Sequence, residues 1–221
     1  MLKVKSHWEK QETENIIFYF LKPAEFSSSE KGSFIDAREE AYKVISQFLH
    51  IDIEPKITFY VFPRDRDFCR KYLWVEPNQA YPGLFVVFSR ISQTAGHELA
   101  HIFSYYLNNA YHLSYKILSE GLATWLDQSE RDFHKITGDL KKEGKLVSLN
   151  KIVNSNDFKA QSDLITYPEC ASFVGFLIDK YGLESFKQIW VKEDLENTIQ
   201  KVYKKSLGGL EEEWLVFLTV H

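Results

Sequence analysis

The segment His97-Glu98-Leu99-Ala100-His101 sets two imidazoles four residues apart with a carboxylate between them. On a helix, positions i and i+4 share one face, one turn apart, so both rings can reach a single metal ion. Imidazole nitrogens at about 2.0–2.1 Å are ordinary zinc ligands. Glu98 is rotated about 100° from His97 around such a helix, so its carboxylate does not bind the ion directly. It can instead reach a metal-polarised water from the side and take its proton as the water attacks a carbonyl. The pattern is HExxH. The plain alternative is a solvated helical face with two ordinary histidines. The surroundings speak against it. Ala95, Leu99, Ile102, Phe103 and Tyr106 give the helix an apolar surface. His97, Glu98 and His101 interrupt that surface, and buried charge needs a partner.

A structural zinc site closes with four protein ligands, whereas a catalytic one takes three and keeps a position open. A third ligand is therefore expected. Eighteen residues separate His101 from the Glu of Ser119-Glu120-Gly121-Leu122-Ala123-Thr124-Trp125-Leu126-Asp127. This spacing resembles the gluzincin clan of zinc peptidases, whose third ligand is a glutamate on the next helix. The Glu-Gly-x-Ala form is similar to the aminopeptidase N-like branch. The resemblance implies one zinc per chain, held by His97, His101 and Glu120, with Glu98 as general base. Taken alone, Glu120 reads equally as a first-turn acid complementing a helix dipole behind a Ser119 cap.

Asp127 follows Glu120 by seven residues and shares nearly the same helix face. Ligand histidines usually donate their second N–H to a carboxylate or carbonyl, and Asp127 is the candidate for that outer role. A surface acid at the helix end is the alternative. Hydrolysis also needs a donor to the oxyanion, for which Tyr167, Tyr111, His112 and His134 are available. Tyr167-Pro168-Glu169-Cys170-Ala171-Ser172 resembles the clan's segment in which a tyrosine precedes a helix, which implies Tyr167 for the role. A tyrosine anchoring a loop to the core is the competing reading.

The elements that position these residues follow from β-branched and aromatic runs, turn signals and helical spacing. Strands are expected at 3–8, 15–21, 56–62 and 84–89, the last after the Pro82-Gly83 turn signal. A helix is expected over 30–49, where Phe34, Ala37, Ala41, Val44, Ile45 and Phe48 recur at helical spacing. Another short helix is expected over Asp65–Trp74, and the motif helices over about Ser92–Leu107 and Ser119–Gln128. The rest reads as helices at 131–143, 168–181, 183–191, 195–204 and 209–219. Strands early and helices late argue for an α+β fold and against a doubly wound parallel sheet. The resemblance implies a zincin-like, thermolysin-type domain over 1–221. Its lobes would be an α+β half to about 108, with a small mixed or antiparallel sheet, and a helical half from about 109. The early hairpin, strand 56–62 and the ending Ser206-Leu207-Gly208-Gly209-Leu210-Glu211-Glu212-Glu213-Trp214 are similar to the compact peptidase-MA-like group.

With 221 residues the chain is long enough for one domain with a sizeable core. Net charge is −4, and no basic stripe interleaves with aromatics, so nucleic acid is a poor partner. Cys69 and Cys170 form no CxxC pair; they read as two free, buried thiols, with one disulfide between them as the alternative. The first residues lack an apolar signal core, and no run of 18 apolar residues exists, so no membrane span is expected. The cytoplasm is the default compartment; an extracellular or membrane-anchored chain whose leader was removed would look the same. The expected partner is a peptide or protein substrate, and the sequence is silent on oligomeric state.

Pro82-Gly83-Leu84-Phe85-Val86-Val87 departs from the aminopeptidase pattern. Those enzymes carry Gly-x-Met-Glu-Asn there, whose glutamate binds a free amino group. Its lack points to an endopeptidase. Two other readings share these residues: an idle gluzincin-fold binding domain, and a zinc hydrolase of non-peptide amides or esters. The intact Glu98 weighs against an idle domain.

Overall fold

A computed structural model describes residues 7–22, 26–64, 78–109, 111–153 and 155–219, the side chain of Ser155 excepted. The fold is α+β: a five-stranded mixed sheet first, then a mostly helical part. The chain divides into two compact units, Met1–Phe103 and Ser104–His221.

In the first unit, β1 (Trp8–Glu12) and β2 (Ile16–Leu21) form an antiparallel hairpin. β3 (Ile57–Phe62) pairs parallel with β2, and β5 (Val86–Arg90) pairs parallel with β3. The short β4 (Gln79–Tyr81) lies antiparallel at the edge, giving the order β1-β2-β3-β5-β4. Strict alternation makes the sheet two-faced. Ile16, Phe18 and Phe20 of β2 and Ile57, Phe59 and Val61 of β3 are all buried. Phe18 and Phe59 meet Phe34 edge-on, with centroids 6.1 and 6.4 Å away, so α1 (Ser28–Leu49) covers this face. The other face holds the Trp8–Leu21–Phe62 cluster, with Tyr19, Tyr60 and Phe88 packed against it.

α1 is a β2-to-β3 crossover, the long connection that parallel neighbours require. A capping box starts it: Glu30 N–H donates to Ser27 Oγ, and Ser27 N–H donates back to the Glu30 carboxylate. Phe34, Arg38, Ala41, Tyr42, Ile45 and Leu49 form its buried stripe. The expected first strand at 3–8 lies mostly outside the described residues, as does the expected helix over Asp65–Trp74; the first described strand is Trp8–Glu12. Pro82–Leu84 forms a single 3-10 turn into β5.

The second unit is helical. It contains α3 (Lys116–Trp125), α4 (Phe133–Lys142), α5 (Leu149–Ile152) and α6 (Ser155–Ala160). Then come α7 (Asp163–Tyr181), α8 (Leu183–Gln188), α9 (Leu195–Tyr203) and α10 (Leu207–Phe217). α7 is its central column, buried almost continuously from Thr166 to Ile178. It begins five residues before the expected start, with Pro168 inside it. A proline in the second turn removes one intrahelical bond, and burial of the turns that follow it outweighs that loss. Among the described residues, no helix is long and apolar enough to cross a membrane.

Candidate metal centre

α2 (His97–Ser104) follows directly from the sheet and runs to the boundary between the units. Leaving β5, Ile91 N–H donates to Phe62 C=O at 2.8 Å and Gln93 N–H to Arg90 C=O at 3.0 Å, which fixes the exit turn. Arg38 of α1 ties down the residues ahead of α2. Its guanidinium donates to Gln93 C=O at 2.5 Å and lies 3.4 Å from the centre of the Phe34 ring. Among the described residues only backbone carbonyls accept from this buried cation. Burial pushes its pKa down to about 9, so it stays charged at neutral pH. Leu99, Ala100, Ile102 and Phe103 are buried, and Phe103 meets Tyr42 of α1 edge-on at 5.0 Å. The opposite side of α2 carries the polar triplet. The His97 and His101 rings lie 4.9 Å apart and nearly perpendicular. Glu98 is 5% exposed and His101 8%.

Glu120 stands in the second turn of α3, because that helix begins at Lys116 and not at Ser119. Burial of Ile117 and Leu118 extends it by a turn, and Lys116 reaches forward one turn to pair with Glu120 at 2.5 Å. Gly121 allows α3 to lie against α7 at backbone contact. A Cβ there would sit 2.6 Å from Cys170 C=O and 2.7 Å from Val174 Cγ2. Gly175 answers from α7, where a Cβ would sit 2.6 Å from the Trp125 ring. The helix pair therefore fixes the Glu120 backbone through two positions where a side chain does not fit.

One ligand atom from each of His97, His101 and Glu120 lies within 4.8 Å of the other two. In a tetrahedral site with bonds of about 2.0–2.1 Å, neighbouring ligand atoms are roughly 3.3 Å apart. The three donors are thus within small rotamer adjustments of a shared ion. Two imidazoles and a carboxylate make a borderline donor set, suited to first-row divalent metals rather than to calcium or magnesium. The residues present fit a single metal ion.

The other sequence candidates have these surroundings. Asp127 is buried past the end of α3; its carboxylate accepts from Ser129 N–H at 2.8 Å and from the Arg131 guanidinium. Tyr167 lies within α7, half-buried, its ring 5.8 Å from that of Phe158. Tyr111 is exposed against Tyr106. His112 keeps Nδ1 3.1 Å from Leu113 C=O. His134 is held between Trp125 and Phe217, with Nδ1 2.9 Å from Ser172 Oγ. Cys170 is a free, buried thiol, and Cys69 lies outside the described residues.

Lys116, Arg131 and Arg38 escaped the sequence reading. The first two were within reach of it, since Lys116–Glu120 and Asp127–Arg131 are i,i+4 pairs. Arg38 carried no local signal, because its acceptor is 55 residues away. No family model and no curated protein matches this chain.

Proposed function

We propose that this chain is a zinc-dependent peptidase of gluzincin type, an endopeptidase by preference, with a zincin-like catalytic domain. One observation carries the reading: the two HExxH imidazoles and the Glu120 carboxylate converge within 4.8 Å. His97, His101 and Glu120 would hold the ion. Bound there, zinc supplies Lewis-acid polarisation of the scissile carbonyl and acidifies water. Glu98, next to His97 on the same helix and 5% exposed, serves as the proton carrier. It accepts a proton from the water whose oxygen attacks the peptide carbon. It delivers that proton to the amine nitrogen as the C–N bond breaks. Tyr167 donates a hydrogen bond to the developing oxyanion. Asp127 is the outer acid that steadies the centre, acting from the turn it builds with Ser129 and Arg131.

The test is hydrolysis of a peptide library by the metal-loaded chain. Glu98→Gln should retain the metal and lose about 10²–10⁴-fold in turnover, the usual worth of a general base. Tyr167→Phe should lower turnover with little change in KM, and Asp127→Asn should lower metal affinity. Unchanged turnover in Glu98→Gln would overturn the general-base assignment.

A further inference from the structure

We infer that Lys116 is a positioning residue that restricts Glu120 to offering the metal one carboxylate oxygen, Oε2. The inference rests on the metal reading above. Lys116 Nζ lies 2.5 Å from Glu120 Oε1, a charge-assisted hydrogen bond between residues one turn apart on α3. Both partners belong to one helix, so the contact depends on no other element. The pair is asymmetric in solvent: the Glu120 side chain is 7% exposed and that of Lys116 is 37%. The carboxylate end is thus poorly screened, which strengthens its hold on a neighbouring cation.

A carboxylate can ligate through one oxygen or through both. Here the ammonium occupies Oε1. A divalent ion taking both oxygens would have to displace that ammonium or sit beside it, and the like charges repel. The lower-energy arrangement shares the carboxylate, with the ammonium on Oε1 and the metal on Oε2. One-oxygen ligation also has a functional consequence. Three protein donors then leave a tetrahedral ion one open position, the arrangement that metal-assisted hydrolysis requires. Ligation by both oxygens would crowd that position. Lys116 therefore acts through Glu120 and needs no contact with substrate.

The experiment loads the full-length chain with zinc or cobalt(II) and compares the wild type with Lys116→Met and Lys116→Arg. Carboxylate stretching bands are read by infrared difference on adding the metal, with Glu120→Gln identifying the Glu120 bands. The wild type and Lys116→Arg should show the wide antisymmetric–symmetric splitting of one-oxygen ligation. Lys116→Met should show a narrowed splitting and a weaker cobalt visible band as coordination rises above four. If the Met variant does not fold, Lys116→Gln removes the same charge and replaces it in the comparison. Identical spectra in wild type and charge-removed variant would overturn the inference. So would loss of metal from a folded Lys116→Met, because Lys116 would then build the site rather than limit its carboxylate. A wild type that takes up neither ion would defeat the metal reading itself, and this inference with it.

Discussion

A carboxylate removed from water keeps its proton, and Glu169 on α7 is such a group. It is fully buried, and its hydrogen-bond donor is Val147 N–H, shared between its two oxygens at 3.2 and 3.4 Å. Burial, with the nearby Glu211 charge, pushes its pKa up to about 8, against the opposing pull of Val147 N–H. The folded chain therefore holds this proton more tightly than the unfolded one. The penalty is absent below the unfolded value near 4.5, grows as pH rises, and levels off above about 8. Each pH unit in that window costs on the order of 1 kcal/mol. Glu169→Gln should match the wild type in thermal unfolding near pH 4 and exceed it increasingly towards pH 8. A stability difference independent of pH would show that Glu169 is not neutral in the fold. At this scale, the grouping of His97, His101 and Glu120 was legible because HExxH is local and the interval to Glu120 resembles a known spacing. Glu169 was not, because its burial comes from packing, which sequence position does not reveal.

Among the elements, α3 and α7 decide where Glu120 can be. Their contact runs through Gly121 and Gly175, each backed by atoms closer than a real Cβ approaches. Gly121→Ala forces α3 away from Cys170 C=O, an overpacking cost of about 1–3 kcal/mol. The expected outcome is a lower unfolding temperature together with weaker metal binding, since residue 120 moves with its neighbour. Wild-type values for both would mean that the pair yields without disturbing Glu120. Helix existence was legible here, and helix starts were not. Ser119 and Pro168 carry strong terminus signals, yet α3 and α7 begin three and five residues before them. In α3 the buried Ile117 and Leu118 extend the helix past the local signal. In α7 the added turn is mostly exposed, with Leu164 84% exposed and Thr166 buried, and it continues the long buried column that follows it. The short α5 and α6 escaped for a related reason, since segments of four and six residues leave little periodicity to read.

The whole molecule follows the strands-then-helices order that its sequence displays. The β-branched and aromatic runs of β2 and β3 predicted the strands, and the turn signal at Pro82-Gly83 predicted the entry to β5. The parallel pairing of β2, β3 and β5 did not follow from the same pattern. Alternation fixes which side chains share a face, whereas the direction of a neighbour depends on connections such as the 22-residue α1. The central claim is chemical: His97, His101 and Glu120 act together as one metal site. The measurement that tests it most directly is the metal content of the purified chain beside that of His97→Ala. One zinc per chain, lost in the variant, is the predicted result. No zinc after adding it back at neutral pH, or full retention by His97→Ala, would contradict the account.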